Sequence, residues 1–175
     1  GVGVGVARGG GGVVAGVAPP VGSVGWMAGA LLQTQSWLRW RRDQMIVVGV
    51  TGITVGVAVL AVAAWFPQSW LGLVMISWII AGFGMGLQNP STSLAVMQLS
   101  DDAELGRNTS SLQVGESLGS SLFTGLAGAW FAHFHEIADL SFTFGGLMVG
   151  MVFVGLIAVL VANRIGPVPT GVGED

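Results

Sequence analysis

The residues of this chain that could do chemistry lie on one face of a predicted helix, and Glu116 is the acid among them. At about 100° per residue, the polar side chains of this stretch fall within about 100° of one another. Besides Glu116, they are Gln113, Ser117, Ser120 and Thr124. Lipid cannot satisfy such a polar stripe, so a spanning helix must turn it toward a bundle interior or a water-filled cavity. The stripe is therefore a candidate lining for the path of a small molecule.

Two interpretations of Glu116 follow from its position. From Asn108, the expected N-cap, the helix advances about 12 Å to reach Glu116, which places the carboxylate inside the bilayer and not among the headgroups. Hydrocarbon disfavours the ionised form, which makes Glu116 a candidate proton-coupling group. Alternatively, Glu116 is a structural carboxylate, hydrogen-bonded to Ser117, to Ser120 or to a neighbouring helix. The residue types leave both interpretations open.

The elements that must position these residues follow from an absence of charge. No charged side chain occurs from Gln44 to Ser100. As one helix at about 1.5 Å per residue, this run would span roughly 85 Å, against ~30 Å for the hydrocarbon core of a bilayer. The run must therefore fold back, and residues 66–69 are the place to do so. Charged residues make up 9% of the chain, against about 25% in typical soluble proteins. The sequence predicts an all-α, polytopic transmembrane bundle.

Five apolar blocks indicate about five spanning helices, at roughly 12–33, 45–66, 70–98, 109–131 and 141–163. We expect a bundle over 12–165, preceded by a low-complexity tail (1–11) and followed by a cytoplasmic tail (166–175). The loops on one side carry arginine, and those on the other side, 67–69 and 132–140, carry none. The positive-inside rule then predicts a multi-pass membrane protein with a cytoplasmic C-terminus. All six basic residues are arginine, which together with the excess of glycine, alanine and valine indicates a GC-rich bacterial genome and therefore a bacterial inner membrane. The arginines concerned are Arg39, Arg41, Arg42, Arg107 and Arg164.

The third block carries two amides, Gln88 and Asn89, next to Pro90. Proline removes a backbone hydrogen bond, so we expect a local break or kink there. The amides could line a substrate path, or they could join helices by hydrogen bonds, which is the commoner role of membrane amides. Small residues are spaced for close helix packing, and the sets concerned are Gly82/Gly84/Gly86, Gly52/Gly56, Gly115/Gly119 and Ser121/Gly125.

The loop over 100–108 combines three acids with one arginine. It could pair with the arginines of 39–42 and latch the cytoplasmic end, or it could be a solvated loop that caps the next helix. The candidates for this latch are Gln33, Arg39, Arg41, Arg42, Asp101, Asp102 and Arg107. The chain has no cysteine and only two histidines, and no nucleophile lies beside a base in the apolar blocks. We therefore expect no metal site, no cofactor, no nucleic-acid partner and no enzymatic activity.

Two motifs carry a resemblance to a known family. The stretches GFGMGLQNP (82–90) and LGRNTSSLQVGESLGSS (105–121) are similar, in their order and spacing, to the C-terminal half of a major facilitator superfamily transporter of the bacterial drug-efflux type. GALLQ (29–33) followed by RWRR (39–42) resembles the family's cytoplasmic G-x-x-x-D-R-x-G-R-R loop, with Gln33 at the acidic position. The resemblance covers residues from about 17 to 165.

The resemblance implies alternating access between two six-helix halves, often driven by a proton gradient. It implies that blocks one, three and four line the cavity and that blocks two and five are peripheral. The expected partners are the lipid bilayer, a small-molecule substrate, protons and an N-terminal half that this chain lacks, so the chain is predicted to be a transporter fragment. The alternative is a standalone small membrane protein that packs against or regulates a partner without transporting anything.

Overall fold

The computed structural model describes residues 3–35, 40–65 and 70–168. These residues form helices and no strand, which confirms the all-α prediction. The helix limits lie close to the predicted blocks, except that the first helix begins nearer the N-terminus and continues through Pro19 and Pro20. The helices are α1 (Gly3–Leu32), α2 (Arg42–Trp65), α3 (Trp70–Leu99), α4 (Leu105–Phe134) and α5 (Leu140–Ala162).

Three of the described helices are long and apolar enough to cross a membrane, which supports the prediction of a membrane protein. They are Arg42–Trp65, Leu71–Leu99 and Phe142–Ala162. Only 6% of the apolar window of the last one is buried by the rest of the chain. Water would strongly disfavour so large an apolar surface, so lipid or another protein must cover it. Helix α4 is as long as α3, but its polar stripe keeps it out of this group.

Helix α3 is the centre of the structure, and its alternating glycines determine what packs on it. Gly82 and Gly86 lie one turn apart and touch the backbone of α1, at Gly22 and Trp26 respectively. Gly84 lies on the other side of α3 and touches α2, where an added Cβ would come within 2.7 Å of the Ile53 nitrogen. Glycine at these positions lets three backbones approach closely, as predicted.

The predicted packing role of small residues holds for α2 and does not extend to α4. An added Cβ at Gly56 would meet the Ala81 Cβ at 2.8 Å, so this glycine lies directly against α3. At Gly115, Gly119 and Gly125, by contrast, an added Cβ would meet nothing within 4 Å among the described residues. Among the described helices, α4 contacts α3 and α5 and no other. Its small residues are therefore uncovered in this chain.

Helix α2 lies between two other helices of this chain, and its expected place at the periphery of a transporter stays a prediction. It packs against α3 on one side and α5 on the other. At the second contact, Gly145 of α5 lies against the Trp65 indole, and Gly155 lies against the Thr54 hydroxyl. Small residues therefore allow α2 to pack between α3 and α5. The polarity of α2 alone did not predict which helices it contacts.

Candidate functional site

A hydrogen-bonded group joins the end of α1 and the beginning of α2 to the second half of α3, and Gln33 is at its centre. The Gln33 Nε2 donates to the Gly86 carbonyl at 2.7 Å and to the Leu87 carbonyl at 3.1 Å. Its Oε1 accepts a hydrogen bond from the Ser91 hydroxyl at 3.0 Å. We call this group, with Arg42 and Met45 at its edge, the Gln33 junction. Both ends of one side-chain amide are thereby satisfied.

Pro90 explains why α3 needs a donor at this point. Proline has no N–H, so the carbonyl of Gly86, one turn earlier, has no partner within the helix. The Gln33 amide supplies that partner from α1. Helix α3 runs unbroken from Trp70 to Leu99. Of the break or kink predicted at Pro90, the break therefore does not occur, and the kink stays a prediction. Neighbouring side chains commonly satisfy backbone groups freed by proline in membrane helices.

The other members of the Gln33 junction come from α2 and from α3 itself. Ser91 is fully buried, and its hydroxyl also lies 3.7 Å from the Met45 sulfur. The Arg42 Nη1 reaches the Gln33 Oε1 at 3.5 Å, the outer limit of a hydrogen bond. The Arg42 Nε is buried and has no partner among the described residues. Gln33 and Arg42, both predicted latch residues, are therefore in contact with each other.

The predicted pairing of acids and arginines between loops is not formed by the part of the chain that the structure describes. Arg41 pairs with Asp43 through two hydrogen bonds, at 3.0 and 2.9 Å, and Arg107 pairs with Glu104 at 3.2 Å. The local partners are closer in sequence, so each pair orders less chain than a contact between loops would. Asp101 and Asp102 are exposed, as a solvated loop would require, and Arg39 lies outside the described residues.

Gln88 and Asn89 lie beside the Gln33 junction and are half-buried. The Gln88 Nε2 donates to the Thr92 hydroxyl at 3.1 Å, and this hydroxyl donates to the Gln88 carbonyl at 2.9 Å. The Gln88 Cβ also lies in the contact between α3 and Gly49. These contacts favour a packing role for Gln88. The Asn89 side chain makes no hydrogen bond to any described residue, so a substrate contact by this amide stays a prediction.

The polar stripe of α4 is open along its whole length. All five side chains are exposed, and none makes a side-chain hydrogen bond to a described residue. In particular, the bonds from Glu116 to Ser117 or Ser120 that a structural carboxylate would make are absent from the described part of the chain. The five residues of this stripe are Gln113, Glu116, Ser117, Ser120 and Thr124.

Glu116 also lies deeper in its helix than the sequence indicated. Helix α4 begins at Leu105, with Glu104 as its N-cap, so Glu116 is about 18 Å along the helix instead of about 12 Å. The expected N-cap, Asn108, lies inside the first turn, and its side chain donates to the Ser100 hydroxyl at 2.9 Å. This correction moves the carboxylate toward the middle of the helix, farther from either end.

Sequence reasoning missed a contact that holds Val168, after the end of α5, against α2. The Arg42 N–H donates to the Val168 carbonyl at 3.1 Å, and the Val168 N–H donates to the Asp43 Oδ1 at 3.0 Å. Val168 is only 1% exposed and packs with Ile46 and Ala162. Residues 163–168, which we call the C-terminal strap, thus return to the bundle, and the tail predicted from residue 166 packs against α2 as far as Val168. The available signal was Gly166-Pro167, since Gly166 has φ of 76° and turns the chain back after α5.

No protein-family model, no curated protein and no solved structure matches this chain. The resemblance to a transporter family therefore depends only on the motifs in the sequence, at residues 29–33, 39–42, 82–90 and 105–121.

Proposed function

We propose that this chain is part of a secondary active transporter of the major facilitator type, which exports drug-like small molecules in exchange for protons. In this proposal the α4 stripe faces the transport path, and Glu116 carries the coupled proton. The chain lies in a bacterial inner membrane with its C-terminus in the cytoplasm. The path is completed by an N-terminal half, and neither a cofactor nor enzymatic chemistry is involved.

One observation carries the proposal, namely an exposed carboxylate in the middle of a 30-residue helix. The helices that α4 contacts are long and apolar enough to cross a membrane, and in this proposal lipid surrounds them and α4 together. An ionisable group at that depth is unfavourable in lipid and requires water or a polar partner. The uncovered stripe extends over 113–124, roughly 17 Å of helix, and its amide, hydroxyl and carboxylate groups can form hydrogen bonds with a polar or amphipathic molecule over that part of a path.

The same uncovered face supports a second candidate function. A standalone membrane protein could use α4 to bind another membrane protein, whose side chains would satisfy the stripe. The two functions differ in what the stripe touches, which is water and substrate in one case and protein in the other. The next two predictions separate them.

Glu116→Gln is expected to abolish proton-driven transport by the full-length protein in vesicles, because the amide has a similar shape but cannot carry a proton. Substrate-induced acidification or alkalinisation of the lumen would be followed with a pH-sensitive dye under an imposed pH gradient. Glu136→Gln is the matched control, since Glu136 is an exposed acid in the turn after α4. Transport by Glu116→Gln with unchanged pH dependence would contradict the proton-coupling role.

Single cysteines along α4 are expected to react with a water-soluble maleimide according to their face. The chain has no cysteine of its own, so Ser120→Cys and Leu122→Cys can be compared directly once any cysteine in the rest of the protein is replaced. We expect Ser120→Cys to be labelled at least about tenfold faster, since thiolates react in water and scarcely in lipid. Equal protection of both positions would instead favour a face covered by a protein partner.

A further inference from the structure

A groove lies between the beginning of α2 and the end of α5, at the arginine-rich end of the structure. Its volume is about 590 Å³, within the ~300–1,000 Å³ typical of ligand sites. Both helices are candidate membrane spans, and the groove lies at their ends, Arg42 and Ala162. The groove is therefore at the depth where phospholipid headgroups meet the protein. The C-terminal strap forms one wall through Gly166 and Pro167.

The lining of the groove is divided into a polar part and an apolar part. Trp40, Arg41 and Gln44 form the polar part at the beginning of α2. Val47 and Val48, one turn deeper into the helix, form the apolar part. Exposed tryptophan is typical of the bilayer interface, and the Trp40 side chain is part of this surface. A polar headgroup with an acyl chain below it has the same division along the membrane normal.

The hydrogen-bonding groups of the groove favour an anion. Both Asp43 carboxylate oxygens are already engaged, since Oδ1 accepts from Arg41 and from the Val168 N–H while Oδ2 accepts from Arg41. The Arg41 Nη1 makes no hydrogen bond to a described residue, and the Arg41 side chain is 46% exposed. The carboxylate of the groove is thus used within the chain, whereas the Arg41 Nη1 is a donor without a partner among the described residues.

Three arginines, Arg41, Arg42 and Arg164, lie at this end of α2 and α5. Among the described residues that line the groove, the charged ones are the paired Arg41 and Asp43, so the excess of positive charge comes from Arg42 and Arg164 beside the groove. Guanidinium groups bind phosphate oxygens with two parallel hydrogen bonds, and juxtamembrane basic residues attract anionic lipids.

From this geometry we propose that the groove is a binding site for an anionic phospholipid of the adjacent leaflet. The phosphate is held by Arg41 and the Trp40 indole, and an acyl chain lies against Val47 and Val48. The C-terminal strap keeps the site in place because its bond to Asp43 holds the carboxylate that orients Arg41. The bound lipid would join the α2 and α5 ends.

The test compares the melting temperature of the full chain in detergent with added phosphatidylglycerol, with added phosphatidylcholine and with inorganic phosphate. Phosphatidylglycerol is expected to raise it by at least about 3 °C more than phosphatidylcholine, because a ligand of the folded state stabilises by mass action. Arg41→Gln should reduce this difference to near zero. Arg107→Gln, which removes an exposed arginine from another ion pair on the same side, should leave it intact.

Val48→Trp is the second variant, since it fills the apolar end of the groove and keeps Arg41. It should reduce the phosphatidylglycerol effect at least about twofold, even if Arg41→Gln fails to fold. The proposal is overturned if the two lipids stabilise equally, if Arg107→Gln loses as much as Arg41→Gln, or if Val48→Trp loses nothing. An equal effect of inorganic phosphate would also overturn it, because the site would then be one for a free anion.

Discussion

Gly86→Leu is expected to lower the free energy of unfolding of the chain in detergent by about 3 kcal/mol or more. An added Cβ at residue 86 meets the Trp26 carbonyl, with the Ala30 nitrogen 3.0 Å away. Both are backbone atoms of α1, so no side-chain rotation can relieve the overlap. The two helices must separate, and the contacts along their parallel faces are lost together. Chemical denaturation followed by tryptophan fluorescence would measure the change.

Gly119→Leu is the matched control for this prediction. It makes the same change in the middle of a spanning-length helix, but nothing lies within 4 Å of an added Cβ there. We expect its effect to stay within about 0.5 kcal/mol, as for substitutions away from packed features. Similar losses for the two variants would mean that α1 and α3 do not meet at Gly86.

Gln33→Leu is expected to cost about 1–3 kcal/mol, the penalty for leaving buried polar groups without partners. The substitution removes the donor to the Gly86 carbonyl and the acceptor of the buried Ser91 hydroxyl. Leucine has a similar size, so packing changes little. Gln35→Leu is the control, because Gln35 is exposed and its side chain makes, among the described residues, one long hydrogen bond of 3.4 Å to the Leu31 carbonyl.

A double-mutant cycle with Pro90→Ala tests the explanation itself. Alanine restores an N–H at position 90, which can bond to the Gly86 carbonyl within the helix. Gln33→Leu should then cost about 1 kcal/mol less in the Pro90→Ala background than in the original chain. Equal costs in both backgrounds would show that Gln33 stabilises the chain without serving the carbonyl that Pro90 leaves free.

The helices could be predicted well because the signal for each is local. The uncharged run from Gln44 to Ser100, with its polar interruption at 66–69, is sufficient to predict α2 and α3. Helix ends were less certain, since capping depends on backbone geometry that residue types only suggest. Asn108 is a good capping residue by type, yet the helix begins at Leu105 and Asn108 bonds to Ser100 instead.

The candidate sites were predictable only in part, because their partners are distant in sequence. The stripe on α4 follows from helical periodicity alone. The role of Gln33 does not, since it depends on Gly86 lying opposite the end of α1. The transporter loop that residues 29–42 resemble has an acidic residue at the position of Gln33, so the sequence identified Gln33 only as a difference from that loop. In the structure, an amide is the suitable group, because it donates to one neighbour and accepts from another.

By itself, the sequence determined that the chain is helical, that it belongs in a membrane and that one helix carries a polar face. These properties depend on which residues follow one another within a few helical turns. Tertiary structure decided which helices meet, that Gln33 satisfies the carbonyl freed by Pro90, and that the strap closes on Asp43. Such contacts join residues that are tens of positions apart, and only packing, through small residues such as Gly84, brings them together.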